Sequence, residues 1–139
     1  MEGLSDKFVN LNKLCMNNVG IRSLDGLPAL PSLTVLELSD NRISSGLEKL
    51  TVLKKLRKLN LSGNKIKELE GLRPLVSLRR GVSGLFLIWY QQRFLIVQSQ
   101  LKNLKVLDLY NCEVTKLDNY REKVFDMIPS LQYLDNLDA

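Results

Sequence analysis

"LTVLELSDNRI", Leu33 to Ile43, has leucine at its first, fourth and sixth positions, asparagine at its ninth and isoleucine at its eleventh. That is the spacing L-x-x-L-x-L-x-x-N/C-x-L of a stacking repeat. Leu36 and Leu38 are two residues apart, so on a strand they point to the same side. An amide side chain at the ninth position, Asn41, can both donate to and accept from turn backbone that burial would otherwise leave unpaired.

Three other stretches align with it: "LNKLCMNNVGI" (Leu11–Ile21), "LRKLNLSGNKI" (Leu56–Ile66) and "LKVLDLYNCEV" (Leu104–Val114). Asn64 and Cys112 hold the ninth position in the last two, and Val19 holds it in the first. The starts are 22, 23 and 48 residues apart. The first two intervals suit one repeat each, and the third is about one repeat too long. Between the strands leucine recurs every third residue, as at Leu24, Leu27, Leu30 and Leu33, at Leu47, Leu50, Leu53 and Leu56, and at Leu69, Leu72, Leu75 and Leu78. A period of three fits 3₁₀ turns. The expected fold is α/β: a right-handed leucine-rich-repeat solenoid with a parallel concave β-sheet and convex 3₁₀ or short helices.

The expected organisation is one domain over residues 1–139, with repeats near 11–32, 33–55, 56–103 and 104–118. The last 21 residues, 119–139, break the pattern. They predict a helix over Tyr120–Ile128, stopped before Pro129, and a strand-like "LQYLD". Such an end serves as a cap, with Tyr120, Val124, Phe125 and Ile128 on one apolar face. Tyr120 and Arg121 are expected structural residues, with Asn41, Asn64 and Cys112.

Arg79 to Leu101 is unlike its host. It has no Lys, Asp or Glu, and it carries "GLFLIWYQQRFLIV" (Gly84–Val97). Its Arg79, Arg80 and Arg93 supply three of the chain's five net positive charges. Its apolar runs are too short to cross a bilayer, and Arg93 would sit near the middle of any such span. Deleting residues 79–101 joins Leu78 to Lys102 and restores the leucine spacing, which favours an insertion. The alternative is a degenerate repeat, with Leu85, Ile88, Tyr90 and Leu95 at consensus positions and Arg93 at the inward ninth, where an unpaired charge is costly.

The chain has no His, no nucleophile motif, no phosphate loop and no Cys/His cluster. The expectation is therefore a non-enzymatic protein without cofactor or metal. The pair Glu68 and Glu70 reads as solvated surface, and "KKLRK" (Lys54–Lys58) as a soluble rim. No direct nucleic-acid contact and no membrane contact are expected. Cys15 and Cys112 belong to the first and last repeats, too far apart for a disulfide, which points to a reducing compartment. The third, fifth and seventh positions of each unit face the concave side. The expected protein-binding residues there are Lys13, Glu37, Ser39, Lys58, Asn60, Asp108 and Tyr110, with Asp40 at the adjoining edge. Glu37 and Asp108 are the expected contacts for a basic partner.

"LELSDNRISSGLEKL", "LNLSGNKIKELEGL", "LDLYNCEVTKLDNYREKVF" and "PSLQYLD", in that order, resemble the leucine-rich domain of the acidic leucine-rich nuclear phosphoproteins. The resemblance covers the chain outside Arg79–Leu101. It implies histone binding and chaperoning, inhibition of type-2A protein phosphatase, and residence in nucleus and cytoplasm. Two departures are visible. That family carries a long acidic C-terminal tail, whereas this sequence stops at Ala139 with a net charge of +5. The family also begins with a helical cap and a further repeat, so the first core layer here is expected to lie uncovered. A spliceosomal leucine-rich-repeat protein that grips an RNA-recognition-motif partner on its concave face shares the general repeat and the Tyr-Arg cap, and is the alternative.

Overall fold

The period-three leucines set the inner wall of the molecule. The structure, a computed structural model, describes residues 4–69, 72, 76–77, 98–99 and 101–138. Leu27, Leu33, Leu53, Leu56 and Leu104 each donate their backbone N–H to the leucine three residues earlier, at 3.0, 3.1, 3.0, 3.1 and 2.9 Å. A bond of that reach eclipses side chains three apart, so each such run lays its leucines in one row. Leu24, Leu30, Leu33, Leu50, Leu53, Leu56 and Leu104 are fully buried. A regular 3₁₀ helix forms over Leu47–Val52 and another over Glu113–Lys116. The Leu24–Leu33 stretch, with Pro28 and Pro31, makes isolated turns instead. Proline has no N–H to continue the pattern.

The opposite wall is the sheet. Strands β1 (Lys13–Cys15), β2 (Val35–Glu37) and β3 (Lys58–Asn60) pair in parallel, with Leu14, Leu36 and Leu59 in line. Two short strands follow, β4 (Val76–Ser77) and β5 (Gln98–Ser99), antiparallel to each other and outside the main sheet. Strand β6 (Val106–Asp108) pairs in parallel with β3, placing Leu107 beside Leu59. No strand stands between β3 and β6, although 48 residues separate their repeat starts. The run Gly84–Val97, with Leu85, Ile88, Tyr90, Arg93 and Leu95, lies outside the described residues. So do Leu75, Leu78, Arg79 and Arg80.

The end of the sheet differs from the expectation in one respect. Helix α1 covers Tyr120–Met127, and Ile128, just before Pro129, is its C-cap. "LQYLD" gives β7 (Tyr133–Leu134), parallel to β6. An eighth strand follows, β8 (Leu137–Asp138), which turns back antiparallel on β7. Asp135 and Asn136 form the turn, with φ of 54° and 62°. Those are the two positive angles of a tight hairpin turn, and both residue types tolerate them.

Burial is graded along the solenoid. Leu36, Leu38, Leu59, Leu61, Leu107 and Leu109 are fully enclosed, whereas Leu14 and Met16 in the first repeat are only half-covered. Among the described residues β1 has one strand neighbour, so its inward side chains lack a second layer. Phe8, Val9 and Val19 are exposed at this end.

Candidate protein-binding face

Strand register builds the concave face in rows. Lys13, Val35, Lys58, Val106 and Tyr133 form one row, and Cys15, Glu37, Asn60 and Asp108 the next. Asn17, Ser39, Ser62 and Tyr110 continue it past the strand ends, where Asn18 donates to Ser39 O at 3.0 Å and Gly63 to Tyr110 O at 2.8 Å. Parallel strands sit ~4.8 Å apart, so each row is a line of closely spaced side chains.

The expected contact residues fall into two groups. Most of those on the N-terminal side have intramolecular partners. Lys58 Nζ lies 3.2 Å from Glu37 Oε1, diagonally across β2 and β3. The Glu37 side chain is only 13% exposed. It is therefore not the free anion for a basic partner that its strand position suggested. Asn60 Oδ1 accepts from the N–H and hydroxyl of Ser62 at 2.9 and 2.7 Å. Ser39 N–H donates to Asn17 Oδ1 at 2.9 Å. Asp40 has φ of 55° and donates its N–H to Ser62 O, which places it in a turn at the rim. Lys13 is exposed on β1.

The C-terminal side is more available. Tyr110 is 71% exposed. Asp108 Oδ1 accepts the Tyr110 N–H at 2.9 Å, and its Oδ2 lies 3.5 Å from Asn136 Nδ2. Tyr133, 45% exposed, stands in the row beside Val106. Asp138 is directly opposite Tyr133 on β8. Tyr133, Asn136 and Asp138 are therefore part of this face, although the repeat pattern did not include them. The cue was available in "DN", residues 135–136, whose two types favour the hairpin that brings β8 back.

Behind the face, the ninth-position residues form a chain of bonds. Asn41 Oδ1 accepts from Val19 and Ile21 N–H at 3.1 and 3.0 Å, and its Nδ2 donates to Met16 O and Leu38 O at 2.7 and 2.9 Å. Asn64 accepts from Ile43 N–H at 2.9 Å and donates to Leu38 O and Leu61 O at 2.9 and 2.8 Å. Cys112 Sγ donates to Leu61 O at 3.3 Å. Each residue thus ties its own turn to the preceding repeat. Both cysteines are free thiols; Cys15 is exposed, and burial pushes the Cys112 thiol pKa up. A raised pKa makes the thiolate scarcer and the sulfur less reactive.

The cap is held from α1. Arg121 donates to Leu134 O at 2.9 Å and Asp138 O at 2.7 Å, and its guanidinium lies 5.5 Å from the centre of the Phe125 ring. Asp135 Oδ1 accepts the Leu109 N–H at 2.7 Å. Burial raises the Asp135 pKa above the usual carboxylate range, against the pull of that bond. Tyr120 Oη is buried without a partner at hydrogen-bonding geometry, and burial, with Asp135 nearby, pushes its pKa up.

An open depression of about 410 Å³ borders Tyr110, walled by the 63–65 and 111–116 segments. Its side chains include Lys65, Glu113 and Lys116, a mixed polar lining. Among the described residues no group of His, Cys, Asp or Glu could hold a metal ion, and no helix is long and apolar enough to cross a membrane.

Residues 31–74 match a family model described as leucine rich repeats, two copies. Over 99% of its length the chain is 49% identical to acidic leucine-rich nuclear phosphoprotein 32 family member A of Drosophila melanogaster. It is 48% identical to the protein of the same name from Drosophila pseudoobscura pseudoobscura. It spans less than half the length of both, 44% and 43%. Among solved structures, a chain of the Drosophila melanogaster SNF/U2A' complex superposes with a TM-score of 0.70 at 28% identity. That match covers 95% of this chain and 63% of the other. The Chaetomium Mex67:Mtr2 subunits give a TM-score of 0.54 at 26% identity, over 77% of this chain and 56% of theirs.

Proposed function

We propose that this chain, similar over 99% of its length to acidic leucine-rich nuclear phosphoprotein 32 family member A, is the leucine-rich-repeat region of a member of that family and a non-enzymatic scaffold that binds proteins on its concave face. The partners are core histones, which it chaperones, and type-2A protein phosphatase, which it inhibits. It works in nucleus and cytoplasm. The observation that carries this reading is the cluster of Asp108, Tyr110 and Tyr133 on the C-terminal half of the sheet. A carboxylate flanked by two exposed aromatic rings suits a lysine or arginine side chain, through charge and through the ring faces. Extended concave surfaces are how solenoids commonly bind.

The second reading is a ribonucleoprotein component that grips an RNA-recognition-motif protein. The superposition on a chain of the SNF/U2A' complex favours it. Immobilised chain is offered core histones in one experiment and a purified RNA-recognition-motif domain in another. Capture of histones, lost in Asp108→Lys, supports the first reading. Capture of the RNA-recognition-motif domain alone overturns it. Glu37→Lys is expected to weaken histone binding less than Asp108→Lys, because Glu37 is already paired with Lys58.

A further inference from the structure

The sequence from Lys49 to Lys67 holds seven basic residues and no acid. The fold places part of that run beside a second basic segment. Lys54 and Lys55 precede β3, and Lys102 precedes β6, its hydrogen-bonded neighbour. Asn103 Nδ2 donates to Lys54 O at 2.8 Å, tying the two loops together. Arg57 O accepts the N–H of Lys105 at 2.8 Å, so these two cations start adjacent strands side by side. Lys54, Lys55, Arg57, Lys102 and Lys105 are all exposed. Lys58 pairs with Glu37 and Lys67 with Glu113, whereas among the described residues Lys54, Lys55, Arg57, Lys102 and Lys105 have no ion-pair partner. "KKLRK" is thus half of a larger platform, assembled from residues about 50 positions apart.

We propose that this rim, Lys54, Lys55, Arg57, Lys102 and Lys105, is a second interaction surface and docks an acidic polypeptide segment. Five cations fixed on paired backbone repel one another, and an anionic segment relieves that repulsion. The backbone bonds hold their Cα positions before any partner arrives, which lowers the ordering cost of binding. A single-stranded nucleic acid is the other anionic candidate. Its binding sites combine cations with a series of aromatic rings for the bases to stack on. Among the described residues one exposed ring, Tyr133, follows directly on this rim, where its N–H bonds Lys105 O at 3.0 Å. The cations outnumber the stacking positions, which favours the polypeptide. This surface borders the cluster around Asp108 at Tyr133 but shares none of its five cations with it, and it does not depend on the histone reading.

The test measures fluorescence anisotropy of a labelled oligoglutamate peptide titrated with the 139-residue chain. An oligouridylate of equal length serves as the competing arm. Binding of the peptide at low salt is expected, weakening as salt rises. Lys54→Glu combined with Lys102→Glu should weaken it about tenfold, as reversal of charges in one patch does. Lys7→Glu, in the N-terminal turn, should leave it within about twofold. The urea midpoint checks that the double variant is folded; if it is not, Lys54→Gln with Lys102→Gln carries the same comparison. Equal affinity of wild type and double variant, or no binding of the peptide, overturns the proposal. Tighter binding of oligouridylate than of oligoglutamate overturns the choice of partner. Histone capture unchanged in the double variant separates this surface from the concave one.

Discussion

Asn64 stands where two repeats meet, and its amide bonds four backbone groups. Leaving a buried donor or acceptor unsatisfied costs about 1–3 kcal/mol. Asn64→Ala is therefore expected to lose about 2–4 kcal/mol of stability, read as a lower urea midpoint at unchanged slope. Asn64→Cys should lose less, since the corresponding Cys112 thiol bonds Leu61 O. Asp135 offers a test of opposite sign. Its folded pKa is raised by burial. Its contribution to stability is thus fully present below the unfolded carboxylate value, about 3.9, and is lost as pH rises through the folded value. Asp135→Asn keeps an oxygen for the Leu109 N–H and tolerates the φ of 54°. The variant should gain on wild type at neutral pH; the gain should shrink as pH falls through the raised folded value and be gone below about 3.9. Urea midpoints at the two pH values measure it; a gap independent of pH contradicts the assignment. The sequence made these two residues visible to different degrees. The ninth-position pattern singled out Asn64. Asp135 looked like the end of a strand, because its burial depends on α1 folding over it.

Among the elements, the strands and the cap helix were readable, since leucine spacing and Pro129 act locally. Pairings between elements were less so. The Lys58–Glu37 ion pair requires the register of β2 on β3, which spacing alone does not reveal. Strand β8 was missed because two residues give no alternation to read. The largest ambiguity, residues 79–101, bears on element order. The direct pairing of β3 with β6, and of β4 with β5, supports our proposal that these residues are an insertion and not a repeat. A chain lacking residues 79–101 is then expected to fold, with a urea midpoint at least that of the parent. An unfolded or strongly destabilised deletion product would count against it. Gly46, left-handed at φ 82°, begins the Leu47–Val52 helix. A Cβ there would lie 2.7 Å from Leu24 N, so Gly46→Ala should destabilise by about 1–3 kcal/mol, the cost of a strained left-handed residue, read as a lower urea midpoint.

For the whole molecule, stability is a sum over neighbouring repeats. The half-covered Leu14 and Met16 imply that the first repeat opens before the others. Amide hydrogen exchange should show least protection at Met16 and Asn18, and most at Leu38, Leu61 and Val106, whose N–H groups all bond to a backbone carbonyl of the neighbouring repeat. Uniform protection across these amides would contradict the gradient. Phe8, Val9 and Val19 remain in water at that same end. The two faces also differ in charge: acid and aromatic groups gather near β6 to β8, while cations line the rim where β3 and β6 begin.

The antiparallel pair of Ser77 with Gln98 has a practical meaning. Facing residues of such a pair have Cα atoms about 5 Å apart. The two sides of this pair therefore stand next to each other like the base of a hook. Closing a loop grows more costly only with the logarithm of its length, about 0.6 kcal/mol for each doubling. Whole foreign domains with neighbouring termini could be grafted at this hook, and the flanking repeats would feel little of their size.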